Sequence, residues 1–247
     1  MSHETSEDAL TWNVFSQIAS QRQLSRVVGA LTGQQDTTEP ELYLWGLKVA
    51  LDDPSPSFPF PPLVQSRTVF ECGIRRFWTE PDIVLYVPGR FIIVVEAKFT
   101  SGNPLASTGA GKDHIDQKPR SIGGLLARYR PAALASTTLI TESAGPPFYE
   151  QLYRNLVFAI HMAEQLGVGW YLVNLVSKRQ FAQNHSKNFV DPSSFIRGIL
   201  PPEHHGRFRF ANWEELYEKC IRDVPEFVSL KEYLTRKTAY TCKALDV

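Results

Sequence analysis

The feature that most limits how this chain can fold is a pair of apolar runs, Ile83–Val87 and Phe91–Val95, separated by Pro88-Gly89. Short runs of β-branched and aromatic residues split by Pro-Gly predict the two strands of a hairpin. Neither run alternates apolar with polar. Both faces of the hairpin are therefore expected to be covered, which places it at the centre of a sheet. Polar side chains stand at one end of it: Asp82 opens the first strand, and Glu96 and Lys98 close the second. One hairpin separates Asp82 from Glu96, so the fold can set them side by side. Glu96 and Lys98 are two residues apart and point to the same face.

Two carboxylates and an ammonium at one end of a buried hairpin are costly to desolvate without a purpose. Hard oxygen donors in this number suit magnesium, which keeps several waters and takes one or two carboxylates plus substrate phosphate. A lysine beside them can position or help deprotonate a metal-bound water.

Pro81-Asp82 followed by Glu96-Ala97-Lys98 resembles the signature of the PD-(D/E)XK nuclease superfamily, which includes restriction endonucleases, Holliday-junction resolvases and RecB-type nuclease domains. The resemblance implies an α/β (α+β), restriction-endonuclease-like fold: a central mixed β-sheet containing the catalytic hairpin, flanked by helices. It implies that Asp82 and Glu96 hold magnesium, with manganese as a substitute, and that the Ala97 carbonyl is a further ligand. It implies Lys98 as the residue that orients or activates the attacking water, and DNA as the partner.

The rest of the chain reads as one nuclease-like domain over residues 1–247, with helical segments near 10–35 and 212–236. Residues 1–8 are polar and read as a frayed end. Apolar positions from Trp12 to Leu31 recur at helical spacing. Thr38-Glu39-Pro40-Glu41 reads as the start of a helix running to Leu51, with Thr38 and Glu41 as a capping box. Relatives in the superfamily place an acidic residue before the hairpin, and Glu41 resembles it; Glu39 serves as well, and capping explains Glu41 equally. Residues 53–62 are proline-rich and are expected to be neither helix nor central strand. Thr68–Cys72 and Ile74–Trp78 predict a strand bulged at Gly73. Glu71 on it is either an auxiliary acid or a solvated edge, and Arg75-Arg76 either a phosphate contact or an exposed strand face.

Ser101–Ser121 is a long polar loop. Its His114, Asp113 and Asp116 lack metal-ligand spacing. Ile122–Tyr129 predicts a helix, and Phe148–Leu166 a second one, with Leu152, Leu156, Ala159, Ile160 and Ala163 as core stripe and Gly167 as terminator. Gln151 resembles the polar position that many relatives carry on the helix after the Glu-x-Lys strand; an ordinary polar helix surface is the alternative. Trp170–Val176 predicts a strand, Phe195–Leu200 a helix or strand, and Arg207–Phe210 an edge strand. Asn212 is placed to cap a helix over Trp213–Arg222, and a last helix follows over Pro225–Arg236.

Lysine plus arginine equals aspartate plus glutamate at 26 each. General affinity for nucleic acid is thus not built into the net charge, and any DNA contact must be local. Cys72, Cys220 and Cys242 form neither a zinc pattern nor a disulfide framework, which reads as a reducing cytoplasm. There is no membrane-length apolar run. Cutting two strands often uses two sites, which makes a homodimer a natural arrangement. Three functions compete: a metal-dependent DNA nuclease; a catalytically inactive nuclease-like scaffold or DNA-binding module; and a buried hairpin whose end charges form structural ion pairs.

Overall fold

The structure is a computed structural model and describes residues 7–35, 38–50, 58–99, 102–108, 117–142, 144–178 and 192–241. Its strands are β1 (Glu41–Leu44), β2 (Leu47–Lys48), β3 (Ile83–Val87), β4 (Phe91–Ala97), β5 (Gly169–Val176) and β6 (Phe208–Asn212). They form one mixed sheet in the order β2-β1-β3-β4-β5-β6. The pairs from β2 to β4 are antiparallel, and β4–β5 and β5–β6 are parallel. The helices are α1 (Glu7–Ser20), α2 (Leu24–Thr32), α3 (Pro61–Phe70), α4 (Ile122–Arg128), α5 (Glu150–Leu166), α6 (Pro192–Ile199), α7 (Trp213–Cys220) and α8 (Val228–Thr241). Among the described residues no helix is long and apolar enough to cross a membrane.

The unbroken apolar character of the central strands has a direct cause. Ile83, Leu85 and Val87 of β3, Phe91, Ile93 and Val95 of β4, and Tyr171, Val173 and Leu175 of β5 share one core with α1, α2, α7 and α8. Their neighbours Val84, Ile92, Val94, Trp170 and Leu172 enter a second core with α3, α4, α5 and α6. Each buried Val, Leu or Ile stabilises the fold by about 1.5–3 kcal/mol relative to exposure. Helix α5 lies between the sheet and α3 and is buried nearly all round instead of along a stripe.

Three expectations are overturned before the hairpin. Residues 41–48 are not helical: β1 turns into β2 through Trp45 (φ 49°) and Gly46 (φ 80°). Positive φ at both central residues is the type I′ geometry that matches strand twist. Only glycine suits the second position, since a Cβ there would meet Leu63 Cδ2 at 2.5 Å. Residues 61–70 are helix, with Pro61 and Pro62 in the first turn, where their missing N–H groups cost nothing. The strand expected over 68–78 is instead the end of this helix and a loop, with Gly73 at φ 82°. Helix α1 begins at Glu7, earlier than the polar N-terminus indicates. Asn212 caps α7 as expected, its Oδ1 accepting from Glu215 N at 2.8 Å, and Gly167 ends α5 at φ 64°. Residues 51–57, 109–116 with Asp113, His114 and Asp116, and Cys242 lie outside the described residues.

Candidate active site

The apolar rows on the α5 side of the sheet turn polar at the same level on three neighbouring strands. Val84, Val94 and Leu172 stand in the core, and the next residues on that face are Asp82, Glu96 and Asn174. The β3–β4 register pairs Ile83 with Val95, and one step further sets Asp82 opposite Glu96. Across the parallel pair, Glu96 is in register with Asn174. The site is thus a transverse row formed where the hairpin ends.

Each member of the row is held. Asp82 Oδ2 accepts from Ala97 N at 2.8 Å. Glu96 is fully buried; its Oε2 accepts from Asn155 Nδ2 of α5 at 2.7 Å, and its Oε1 lies 2.5 Å from Lys98 Nζ. That lysine contact is a close ion pair, and among the described residues Oε1 has no other partner. The backbone of Lys98 is fixed on both sides: its N–H donates to Leu175 O at 2.7 Å, and its carbonyl accepts from the Trp213 indole at 3.2 Å. Asn174 Oδ1 accepts from Asn103 Nδ2 at 3.2 Å, and among the described residues Asn174 Nδ2 and Asn103 Oδ1 are buried without a partner.

Burial, and then repulsion from Glu96, raise the Asp82 carboxyl well above its ordinary range; the Lys98 charge and the Ala97 N–H pull the other way. Burial also raises Glu96, opposed chiefly by Lys98 and Asn155. Desolvation works against the Lys98 ammonium, but Glu96 and Asp82 outweigh it and raise its pKa. Two further acids act on the row from the first turn of α1. Glu7 Oε1 accepts from Phe99 N at 2.9 Å and its charge favours protonated Lys98, while Asp8 adds to the repulsion on Asp82. Nothing in the sequence connects residues 7 and 8 with residues 82 and 98; acidic residues in a first helical turn are the only local trace.

The acids expected to assist the site are elsewhere. Glu41 is a correction: it lies in β1 opposite Tyr86, at the far end of β3 from Asp82. It accepts from the Tyr43 hydroxyl at 2.5 Å and pairs with Lys48 at 3.1 Å. Glu39 accepts from Leu24 N at 3.0 Å and so caps α2. Glu71 is buried at the end of α3, accepting from Thr79 N at 2.8 and 3.1 Å, from the Thr79 hydroxyl, and from the Tyr129 hydroxyl at 2.6 Å. On α5 the residue that reaches Glu96 is Asn155, one turn after Gln151; Gln151 makes no such hydrogen bond among the described residues.

Among the described residues no three His, Cys, Asp or Glu side chains form a metal cluster. Any metal here would rest on the two carboxylates of the row. A cavity of about 400 Å³ opens elsewhere, lined by Arg67, Thr68, Glu71, Ile74 and Trp78 but by none of Asp82, Glu96 and Lys98.

A family model described as Restriction Endonuclease associating with ARP matches residues 2–238. The chain belongs to this family. No curated protein sequence matches the chain, and no solved structure does. The mixed six-stranded sheet with helices on both faces is compatible with the restriction-endonuclease-like fold of such a family. Membership points to a nuclease-like role, and the polar row at the end of β3, β4 and β5 is the place in this family member where that chemistry has its candidate groups.

Proposed function

We propose that this chain is a magnesium-dependent nuclease that hydrolyses phosphodiester bonds in DNA, in restriction, repair or mobile-element processing. The observation that carries the reading is the convergence of Asp82, Glu96 and Lys98 at one end of a buried hairpin. The donor set fits the ion. Two hard carboxylates stand at the same end of the hairpin, and repulsion from Glu96 raises the Asp82 pKa. A divalent cation relieves that repulsion. Asp82, Glu96 and the Ala97 carbonyl would hold it. Once bound, magnesium or manganese supplies charge neutralisation at the scissile phosphate and a lowered pKa for a bound water.

The chain's own groups do the rest. Asn155 fixes the carboxylate plane of Glu96 by holding Oε2. The Ala97 N–H holds one Asp82 oxygen in place. Lys98, fastened through its backbone to β5 and to Trp213, keeps its proton at Nζ and orients the attacking water. The buried location of Glu96 excludes bulk water and strengthens each of these interactions. The family description names an association with ARP, which we carry to this chain as a proposed partner; a homodimer is the arrangement we propose for duplex cleavage.

A second reading has a specific observation behind it. Both carboxylates already have partners in the chain, Ala97 N–H and Lys98, which is how a purely structural charge cluster would look. Magnesium-dependent nicking of plasmid DNA separates the two. The nuclease reading expects activity from the wild type and at least about a hundredfold less from Asp82→Ala and Lys98→Ala, the order lost with groups of this kind. Equal activity in all three would trace cleavage to a contaminant and remove the proposal.

A further inference from the structure

The segment between α3 and Asp82 is fastened at its base and bare at its tip. The Glu71 carboxylate grips Thr79 through the backbone N–H and the hydroxyl, and Arg67 Nε and Nη2 each donate to Thr79 O at 3.1 Å. The Trp78 indole donates to Ile74 O at 2.6 Å and so closes the loop on itself, while the Arg67 guanidinium sits 5.6 Å from the Trp78 ring centroid. Between these anchors stand four consecutive exposed residues, Arg75, Arg76, Phe77 and Trp78. Phe77 is 69% exposed and Trp78 46%.

Three facts set this tip apart from a scatter of surface apolar groups, which needs no explanation. Phe77 adopts φ 60°, a left-handed conformation that a bulky side chain avoids unless its surroundings impose it. Among the described residues, Arg75 and Arg76 have no ion-pair partner, although acids such as Glu80 are a few residues away and Glu80 is taken by Arg67. Finally, the loop runs directly into Pro81-Asp82, the first member of the polar row. An exposed aromatic ring that follows two arginines without ion-pair partners among the described residues matches the two chemistries of a nucleic-acid strand, base face and phosphate. Because the loop is already fixed, little conformational freedom is lost when the ring is covered.

We propose that Arg75–Trp78 is a strand-gripping loop: Arg75 and Arg76 contact phosphates, and Phe77 stacks on a base that is not held in a duplex. The occupant is therefore single-stranded or locally unpaired DNA. The position of this contact next to the scissile phosphate rests on the nuclease reading; the contact itself does not.

The test is binding of the full chain, in EDTA, to a single-stranded oligonucleotide carrying 2-aminopurine, followed by anisotropy across a salt series. Arg75→Ala/Arg76→Ala is expected to flatten the slope of log affinity against log salt by about 1.4, two phosphate contacts at roughly 0.7 each for a single strand. Phe77→Ala and Phe77→Leu are expected to weaken binding on the order of tenfold, the loss of one stacked base, to leave the slope unchanged, and to abolish 2-aminopurine quenching. Arg236→Ala, at an exposed position on α8, serves as the control and is expected to change neither. Circular dichroism confirms folding, and the leucine variant separates loss of the ring from loss of apolar bulk. An unchanged salt slope in the double variant, or undiminished quenching in both Phe77 variants, overturns the proposal. So does a change in sedimentation without a change in DNA affinity, which would make the loop a protein contact. Since no cleavage is measured, a chain that cannot nick DNA can still pass this test, and an active nuclease can still fail it.

Discussion

Asn155 Nδ2 donates to Glu96 Oε2 at 2.7 Å, tying α5 to the buried end of β4 across 59 positions of sequence. The bond makes Asn155, and not Gln151, the residue on which the geometry of Glu96 depends. Asn155→Ala leaves a fully buried carboxylate oxygen without its donor, at a cost of about 1–3 kcal/mol. We expect a fall in Tm of several degrees together with reduced plasmid nicking, while Gln151→Ala changes both little. Calorimetry and a nicking assay on the two variants check this, and the reverse ranking would assign the position to Gln151.

The charge on Asp82 burdens the fold. Its carboxyl titrates above the ordinary range, through burial first and repulsion from Glu96 second. A carboxyl raised in this way binds its proton more tightly in the native state than in the unfolded chain. From the unfolded pKa of about 4 up to the native value, the native state holds the extra proton, so stability declines as pH rises through that window. Asp82→Asn keeps an oxygen for the Ala97 N–H and removes the charge. In EDTA at pH 7 we expect its Tm to exceed that of the wild type by about 2–4 °C, the change for roughly 1 kcal/mol in a chain of this size. Its stability should also vary less with pH above the acidic range. Thermal unfolding across pH decides it; a lower Tm for the variant at pH 7 contradicts the account.

Glu71 and Glu41 separate structure from chemistry. Glu71 accepts four hydrogen bonds in a buried setting, so Glu71→Gln is expected to cost about 1.5–3 kcal/mol, the range for bonds to a charged group. Glu41 pairs with Lys48 where both side chains are about a third or more exposed, so Glu41→Gln should cost at most about 1 kcal/mol. Neither change should alter the metal-concentration dependence of cleavage, measured below the melting temperature of each variant. A shifted dependence in either would return that acid to the site.

Gly46 tests the turn that replaced the expected helix. Its φ of 80° and the 2.5 Å that would separate an added Cβ from Leu63 Cδ2 act together against any larger residue. Gly46→Ala is expected to lose about 1–3 kcal/mol, and Gly33→Ala, whose Cβ would meet no neighbour, to lose less. Urea unfolding of both variants measures the difference.

The centre of the fold was legible in the sequence because one physical cause, burial on both faces, leaves a contiguous trace in Ile83–Val87, Phe91–Val95 and Trp170–Val176. The pairing of Glu96 with Lys98 followed from strand periodicity alone. What failed was local chemistry with two meanings. Thr38-Glu39-Pro40-Glu41 has the composition of a helix start, yet Trp45-Gly46 supplies a turn that outweighs it. The prolines at 61 and 62 break an element only in its interior, and here they begin one. Glu7, Asp8, Asn103, Asn155 and Asn174 acquire their roles through contacts between distant segments, where no spacing rule reaches. Asn174 did leave a sign: it is the single polar residue inside an otherwise apolar strand.

Lys98 has one more consequence. The side-chain amine of Lys98 already occupies the flank of Glu96, so a dissolved cation arriving there would meet a resident competitor. On the proposed metal-dependent reading, loading would be an exchange of counter-ions, and singly charged ions such as sodium would start at a disadvantage against a tethered monovalent rival. Were the proposed metal to bind, discrimination in favour of doubly charged ions would come from the chain itself, two residues from the carboxylate that Lys98 pairs with.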